Sequence, residues 1–281
     1  MPSCRISVPW LLLVAIVAVF PDRPAAAPPD AKMLRPIEAH DSVFLEEMTW
    51  LEVRDALKAG KTTVIIPTGG VEMNGPYLPT GKHNYIVKAV AEAAARKLGN
   101  TLVAPVVPFV PEGDIDPPTS HMEYPGTISL TEKTYEAMLT EIVSCFRTHG
   151  FQHIVLIGDS SGNQDGMRNV AAALNKRWAK EKVRVHFIAE YYDEFDALEE
   201  WVTKQGIVQK DEGFHDDFIT SATLAAIDPT FIRAKQRQAA KNLSINGVSL
   251  APVETAAAWG KKIIDYRAET TVKAIRKAMG S

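Results

Sequence analysis

Cysteine is nearly absent: the 281-residue chain contains two, Cys4 and Cys145. That excludes a small disulfide-stapled scaffold, so stability has to come from a core of ordinary size. Cys145 falls in a helical pattern over residues 135–149, beside Met138, Leu139, Ile142 and Phe146. There it reads as a small apolar core residue rather than a reactive thiol. An excess of either charge is also missing, with 31 Lys and Arg against 34 Asp and Glu and a formal net charge of −3. Such a balance leaves no electrostatic footprint for nucleic acid or an anionic membrane. Beyond residue 27 no apolar run approaches the ~20 residues that a spanning helix needs. Internal repeats and low-complexity tracts are absent as well.

What is present begins with a targeting pattern. Arg5 supplies a positive start, residues 8–20 are apolar apart from Pro9, residues 21–24 break the run, and Ala25-Ala26-Ala27 offers a small-x-small cleavage site. Residues 1–27 are therefore read as a cleavable signal peptide, with an uncleaved anchor as the alternative, and the protein is expected outside the cytoplasm, periplasmic or secreted, with no membrane contact after cleavage. Asn242-Leu243-Ser244 is a glycosylation acceptor only in a eukaryotic secretory route. Residues 28–41 are rich in Pro and Ala and read as a loose arm. The remaining 42–281 read as one domain; a mature chain of about 250 residues is at the upper end for a single core.

Within that domain, β-branched runs alternate with helical patterns. Strands are expected over residues 62–67, 101–107, 154–157 and 183–188. Helices are expected over 85–98, 135–149, 166–180, 219–226 and 229–238, with a long amphipathic one over 252–279. Continuous apolar strands between helices predict an α/β fold, a three-layer α/β/α sandwich around a mainly parallel sheet. Sites in that architecture lie beyond the carboxyl ends of the strands, where the loops after the first three strands converge.

The first of these loops reads Pro67-Thr68-Gly69-Gly70-Val71-Glu72-Met73-Asn74-Gly75-Pro76-Tyr77-Leu78-Pro79-Thr80-Gly81-Lys82-His83-Asn84. Its glycines and prolines can hold a carboxylate, a carboxamide and an imidazole toward one point. The loop resembles that of the creatininase (creatinine amidohydrolase) family, Gly-x-x-Glu-Gln-His-Gly-Pro-His-Leu-Pro-x-x-x-Asp. Further segments resemble the same family: Pro125-Gly126-Thr127-Ile128-Ser129-Leu130 with His121 upstream, His149-Gly150-Phe151, and Gly247 through Pro252, Thr255-Ala256 and Gly260-Lys261.

The resemblance implies a hydrolase of C–N bonds in a small amide or cyclic amide, a homo-oligomer (commonly a hexamer), and two divalent metals bridged by water. Carried over position by position, Glu72 matches the first ligand. Asn74 stands for a His, His83 for the closing Asp, Ser160 for the third-loop His, and Gly162 or Ile219 where the last carboxylate belongs; Met73 and Tyr77 also depart from the pattern. His83 cannot bridge two ions as a carboxylate does, so the expectation becomes a single zinc or manganese on Glu72, His83 and Asp159, with His215 or Asp216 nearby. The resemblance further implies a general acid/base role for His215, its ring oriented by Asp216 or Asp217; the same acidic run also suits a helix N-cap. Asn74, His121 and Tyr77 are the expected substrate contacts, His121 following the possible lid at residues 117–120, and Lys82 is a further candidate.

A second pattern competes. Gly158-Asp159-Ser160-Ser161-Gly162 fits Gly-x-Ser-x-Gly between a strand and a helix, where a nucleophile elbow would sit. With Asp193 or Asp196 and then His215, chain order permits a Ser160 triad. The leading expectation is the metal-assisted hydrolase; the alternatives are a non-catalytic scaffold that binds a small molecule in the same crevice, and a serine hydrolase.

Overall fold

The structure is a computed structural model and describes residues 30–280. The expected signal peptide, with Cys4, lies outside the described residues. The chain divides into a short unit ending at Pro36 and a compact unit from Ile37 onward. In the first, the described part is a turn in which the Lys32 amide donates to Asp30 Oδ1 at 2.8 Å. Residues 37–41, read from the sequence as the end of an arm, belong to the compact unit: the His40 amide donates to Glu52 Oε1 at 2.6 Å.

Four strands form the central sheet, β1 (Thr63–Thr68), β2 (Thr101–Val103), β3 (His153–Gly158) and β4 (Arg184–Phe187). They are parallel throughout in the order β2-β1-β3-β4. Alternation of side chains divides the core into two layers. Val64, Ile66, Ile154 and Leu156 face a cluster with Tyr135, Leu139 and Val143 of α3 (Glu132–Thr148) and Met167, Val170 and Leu174 of α4 (Gln164–Arg177). Ile65, Val103, Val155 and Ile157 face Val87, Val90 and Ala94 of α2 (Lys82–Leu98) and Ala268, Val272 and Ile275 of α9 (Val253–Met279). The molecule is a three-layer α/β/α sandwich, as the strand–helix alternation predicts.

Several differences from the sequence reading have local causes. β2 stops at Val103 because Pro105 has no N–H to donate. The ladder resumes beyond it, where Val107 bridges Thr68 and donates to the Pro67 carbonyl at 2.9 Å. Cys145 is exposed, not buried: the inward stripe of α3 runs Tyr135, Leu139, Val143, and a residue two further on points outward. The helix expected over residues 229–238 breaks at Arg233, which is left-handed (φ 54°), into a short turn Pro229–Ile232 and α8 (Ala234–Ala239). Three helices were not anticipated: α1 (Trp50–Lys58), started by a Thr49–Glu52 capping box, and α5 (Glu190–Asp193) and α6 (Phe195–Lys204). The hairpin β5 (Ser244–Ile245) with β6 (Val248–Ser249) is likewise new.

A third cluster packs α7 (Phe218–Ile227) on the first half of α9, with Phe218, Ala222 and Ala225 against Ala256 and Ile263. Gly260 permits the approach: a Cβ there would stand 2.0 Å from the Ala222 carbonyl oxygen. Because that neighbour is backbone, it cannot swing aside. Gly260→Ala is expected to cost roughly 1–3 kcal/mol, measured as a lower denaturant midpoint at unchanged slope; an unchanged midpoint would show that the two helices slide freely.

Candidate active site

The connection from β1 runs to β2 on one side and the next one, from β2, crosses back to β3 on the other, so the loops after β1 and β3 open at a topological switch point. A cavity of about 880 Å³ lies there, lined among others by Glu72, Lys82, His83, His121, Asp159, Ser160 and His215.

Glu72 is the centre of it. The β1 loop holds its backbone through the amide, which donates to the Thr80 carbonyl at 2.9 Å, and its side chain is 2 % exposed. His83 enters from the first turn of α2, which starts earlier than the apolar pattern suggested. Its Nε2 lies 2.7 Å from Glu72 Oε1 and its Nδ1 2.7 Å from Asp159 Oδ2. Asp159, directly after β3, has its other oxygen occupied: Tyr191 Oη and Arg267 Nη2 each donate to Oδ1 at 2.8 Å. The chain Arg267–Asp159–His83–Glu72 thus joins α9, the β3 loop, α2 and the β1 loop.

The charges follow from this chain. Burial opposes ionisation of Asp159, but Arg267 and His83 outweigh it and hold the carboxyl below its ordinary value. Burial likewise works against a charged His83, yet the bonds to Asp159 and Glu72 prevail and raise its pKa. Glu72, despite desolvation, is brought well below the usual carboxylate range by His83, with Lys82 and His215 adding to it. The Lys82 ammonium is 3.4 Å from Glu72 Oε1.

The outer side of Glu72 meets two more imidazoles. His121 Nε2 stands 3.3 Å from Oε2, and His215 Nδ1 stands 3.4 Å from Oε1. Their rings stack with centroids 5.0 Å apart. One donor atom from each of Glu72, His121 and His215 falls within 4.8 Å of the others, a set that could hold a metal ion. A carboxylate and two imidazoles are donor types that zinc takes. Burial and the nearby Lys82 charge lower the pKa of His215, favouring the neutral ring that a metal requires. Its Nδ1 is also 3.2 Å from the Met73 carbonyl.

The other candidates are placed as follows. The sequence reading grouped Glu72, His83 and Asp159 as ligands. All three come together, but as a hydrogen-bonded row in which the nitrogens of His83 and the oxygens of Asp159 are already occupied; on the other side of Glu72 stand His121 and His215. Ser160 was a candidate nucleophile, yet its hydroxyl donates to Glu112 Oε2 at 3.1 Å and accepts from the Gly162 amide at 3.3 Å, with no imidazole bonded to it. Asp216 does not orient the His215 ring. Buried, it accepts from Ser221 Oγ at 3.0 Å and Arg237 Nη2 at 3.2 Å, and burial with the neighbouring Asp217 charge lifts its pKa to about 6. Asp217 is the N-cap of α7, accepting from the Thr220 amide, so the capping reading of this acidic run holds. Asn74 braces the loop, donating to the Glu72 and Pro79 carbonyls at 3.1 and 2.9 Å. Tyr77 lies under Arg237, 4.2 Å from ring centroid to guanidinium carbon, and lines a neighbouring pocket of about 160 Å³ rather than the main cavity.

Three residues were missed. Tyr191 and Arg267 complete the surroundings of Asp159. Arg267 had a signal: on α9 it continues the stripe Gly260, Ile263, Thr271 and Ile275, where a charge is out of place unless paired. Glu112 lies in the loop after β2, is 4 % exposed, and has one carboxyl oxygen with no hydrogen-bond partner among the described residues. Burial and the charge of Glu72 push its pKa up to about 8, so it carries a proton at neutral pH. The Pro111–Glu112 backbone passes so close to Gly162 that a Cβ there would lie 1.7 Å from the Pro111 carbonyl oxygen. Glycine at 162, in place of the expected carboxylate, is therefore a steric requirement of this packing.

A sequence model of the creatinine amidohydrolase family matches residues 46–275. The chain belongs to the creatininase family. Among curated relatives, it is 29 % identical over 121 residues to a 3-dehydro-scyllo-inosose hydrolase of Thermotoga maritima, covering 43 % of this chain and 37 % of that protein. It is 27 % identical over 116 residues to a creatinine amidohydrolase of Pseudomonas putida, covering 41 % and 44 %. The matched region thus spans about two-fifths of the length of these relatives. A solved manganese creatininase aligns with a TM-score of 0.62 at 20 % identity, over 84 % of this chain and 98 % of that one. A mutant creatininase of zinc–zinc type aligns with a TM-score of 0.59 at 19 % identity, over 85 % and 98 %. At such identities the structural likeness carries the fold alone.

Proposed function

We propose that this protein is a single-metal hydrolase of C–N bonds in a small amide or cyclic amide, exported from the cytoplasm and working as a homo-oligomer. The observation that carries the chemistry is the convergence of Glu72, His121 and His215 from three separate loops on one point in the cavity. One carboxylate and two imidazoles suit zinc or manganese, which would polarise a carbonyl and bring a bound water toward neutral pKa. His83 fixes the direction of the Glu72 carboxylate, and Asp159, Tyr191 and Arg267 fix His83 in turn, the outer support that ligand carboxylates depend on. Lys82, buried against Glu72 and lining the cavity, is placed to stabilise negative charge developing on a substrate carbonyl oxygen. Ser160 lines the cavity with its hydroxyl turned to Glu112, to which it donates. Export is supported by the pattern of Arg5, the apolar run and Ala25–Ala27; oligomer formation is supported by family kinship and is read by light scattering.

One observation favours the second reading, a binding scaffold without catalysis: the Lys82 ammonium already supplies Glu72 with a positive neighbour. Metal analysis of the purified protein, with turnover of an amide panel before and after chelation, separates the two. The hydrolase reading expects bound metal, chelator-sensitive turnover, and a Ser160→Ala variant within about tenfold of wild type, since loss of a lone hydrogen bond is worth about 1 kcal/mol. Metal-free protein that turns nothing over, while a small amide raises its melting temperature, would establish the scaffold. Chelator-resistant turnover abolished by Ser160→Ala would restore the serine hydrolase.

A further inference from the structure

We infer that Arg237 is a positioning residue for the candidate metal site: it clamps the loop that carries Glu72 to the loop that carries His215 and so sets their spacing. The inference rests on the metal reading above, and it concerns a side chain outside the main cavity. Met73, beside Glu72, lies 142 residues before His215 in the chain, so only tertiary contacts can fix the distance between the two loops. Two direct bonds cross between them. The Gly75 amide donates to the His215 carbonyl at 3.2 Å, and His215 Nδ1 lies 3.2 Å from the Met73 carbonyl. Both are at the long end of the hydrogen-bond range, whereas the donors of a working metal site have to be held to within about 0.5 Å.

Arg237 supplies the further link. It belongs to α8, and its side chain turns inward until it is 1 % exposed. The guanidinium lies over the Tyr77 ring of the β1 loop, 4.2 Å from centroid to carbon. Its Nη2 donates to Oδ2 of Asp216, the residue after His215, at 3.2 Å. One planar group therefore touches both loops. Its own place is fixed by Nε and Nη1, which donate to the Ile232 and Ser244 carbonyls at 3.0 and 2.9 Å. Asp216 is held from the other side by Ser221 Oγ at 3.0 Å, and its carbonyl accepts from Asn246 Nδ2 at 3.3 Å. A buried charge is costly unless it is paired and hydrogen-bonded, and Arg237 meets both conditions only while the two loops stay together. Gly75 allows the loops to close this far, since a Cβ there would stand 3.0 Å from Asp216 Cβ. Asp216 does not touch the His215 ring, but with Arg237 it fixes the backbone from which that ring projects.

The test uses the full chain and reads the site without metal as well as with it. Arg237→Met removes the charge and the fork, and Arg237→Lys keeps the charge alone. Val143→Ala, a core truncation beneath the other face of the sheet, is the control for plain destabilisation. In metal-free protein the His215 ring signals, followed by NMR, are expected to move in Arg237→Met while those of His83 stay in place. Zinc affinity by calorimetry is expected to fall roughly 10–100-fold in Arg237→Met, as on losing an outer partner of a metal site. It is expected to recover in part in Arg237→Lys and to remain at the wild-type value in Val143→Ala. Unmoved His215 signals in a folded Arg237→Met, or an equal loss of zinc in Val143→Ala, would overturn the inference. Should Arg237→Met not fold, Tyr77→Leu, which removes the ring under the guanidinium, is read by the same signals. If wild type takes up no zinc while the His215 signals still move, the metal reading fails and the clamp stands.

Discussion

Arg267→Met is expected to destabilise the protein by about 3–5 kcal/mol and to disable the cavity 
although Arg267 does not bond to Glu72. Arg267 comes from the middle of α9, and its guanidinium lies on Asp159 Oδ1. Methionine fills much of the volume but supplies no charge, leaving the buried Asp159 with Tyr191 and His83 alone. Removing one member of a buried pair strands the other, and that loss exceeds the net value of the intact pair. The conservative Arg267→Lys keeps a charge but presents one ammonium in place of the planar fork that both donates to Asp159 and stacks over Tyr191 at 4.4 Å. It is expected to recover part of the stability. Urea denaturation reads both; an Arg267→Met midpoint equal to wild type would mean that Asp159 is held by its other contacts.

The second large effect is expected for Glu72→Gln. The change keeps size and one acceptor oxygen but removes the charge at the point where His83, Lys82, His121 and His215 converge. Metal affinity is expected to fall by more than the roughly 10–100-fold typical of losing an outer partner, and chelator-sensitive turnover to reach background. The His121→Ala and His215→Ala variants are expected to lose metal while remaining folded, since both rings are part-exposed and lie outside the buried row. Calorimetric zinc titration of the three variants measures this. Wild-type affinity in either histidine variant would remove that residue from the ligand set. Retention by all three would place any metal elsewhere.

Much of the architecture was legible because it depends on periodicity. Residues 62–67 and 154–157 announced buried strands by continuous apolar character, 183–188 announced a strand by apolar residues alternating with Arg184 and His186, and the long C-terminal helix showed in its apolar stripe. Boundaries were less legible where the deciding groups are specific. Pro105 cut short β2, Arg233 divided a helix, and the first turn of α2 carries Lys82 and His83 on its polar side, where no apolar spacing marks it. Cys145 was misjudged for a related reason: position within a helical pattern does not give the angle around the helix axis unless the inward stripe is identified first.

For the site, the sequence by itself determined which loops matter and that Glu72, His83, Asp159, His121 and His215 are their chemistry-bearing residues. Spacing after parallel strands brings those loops to one end of the sheet whatever the side chains are. Which of the five face one another, and with which atoms, only the tertiary structure decided. His83 and Asp159 look like ligands on paper, yet the fold occupies His83 through Glu72 and Asp159, and Asp159 also through Tyr191 and Arg267, the last 108 residues further along the chain. Glu112 and Gly162 form a similarly coupled pair, set by a backbone approach between the loops after β2 and β3. Local sequence encodes helix faces and strand runs because these depend on neighbours a few residues away. A side chain's lone pairs are assigned by whatever the fold places against them, and in this protein those partners come from distant segments.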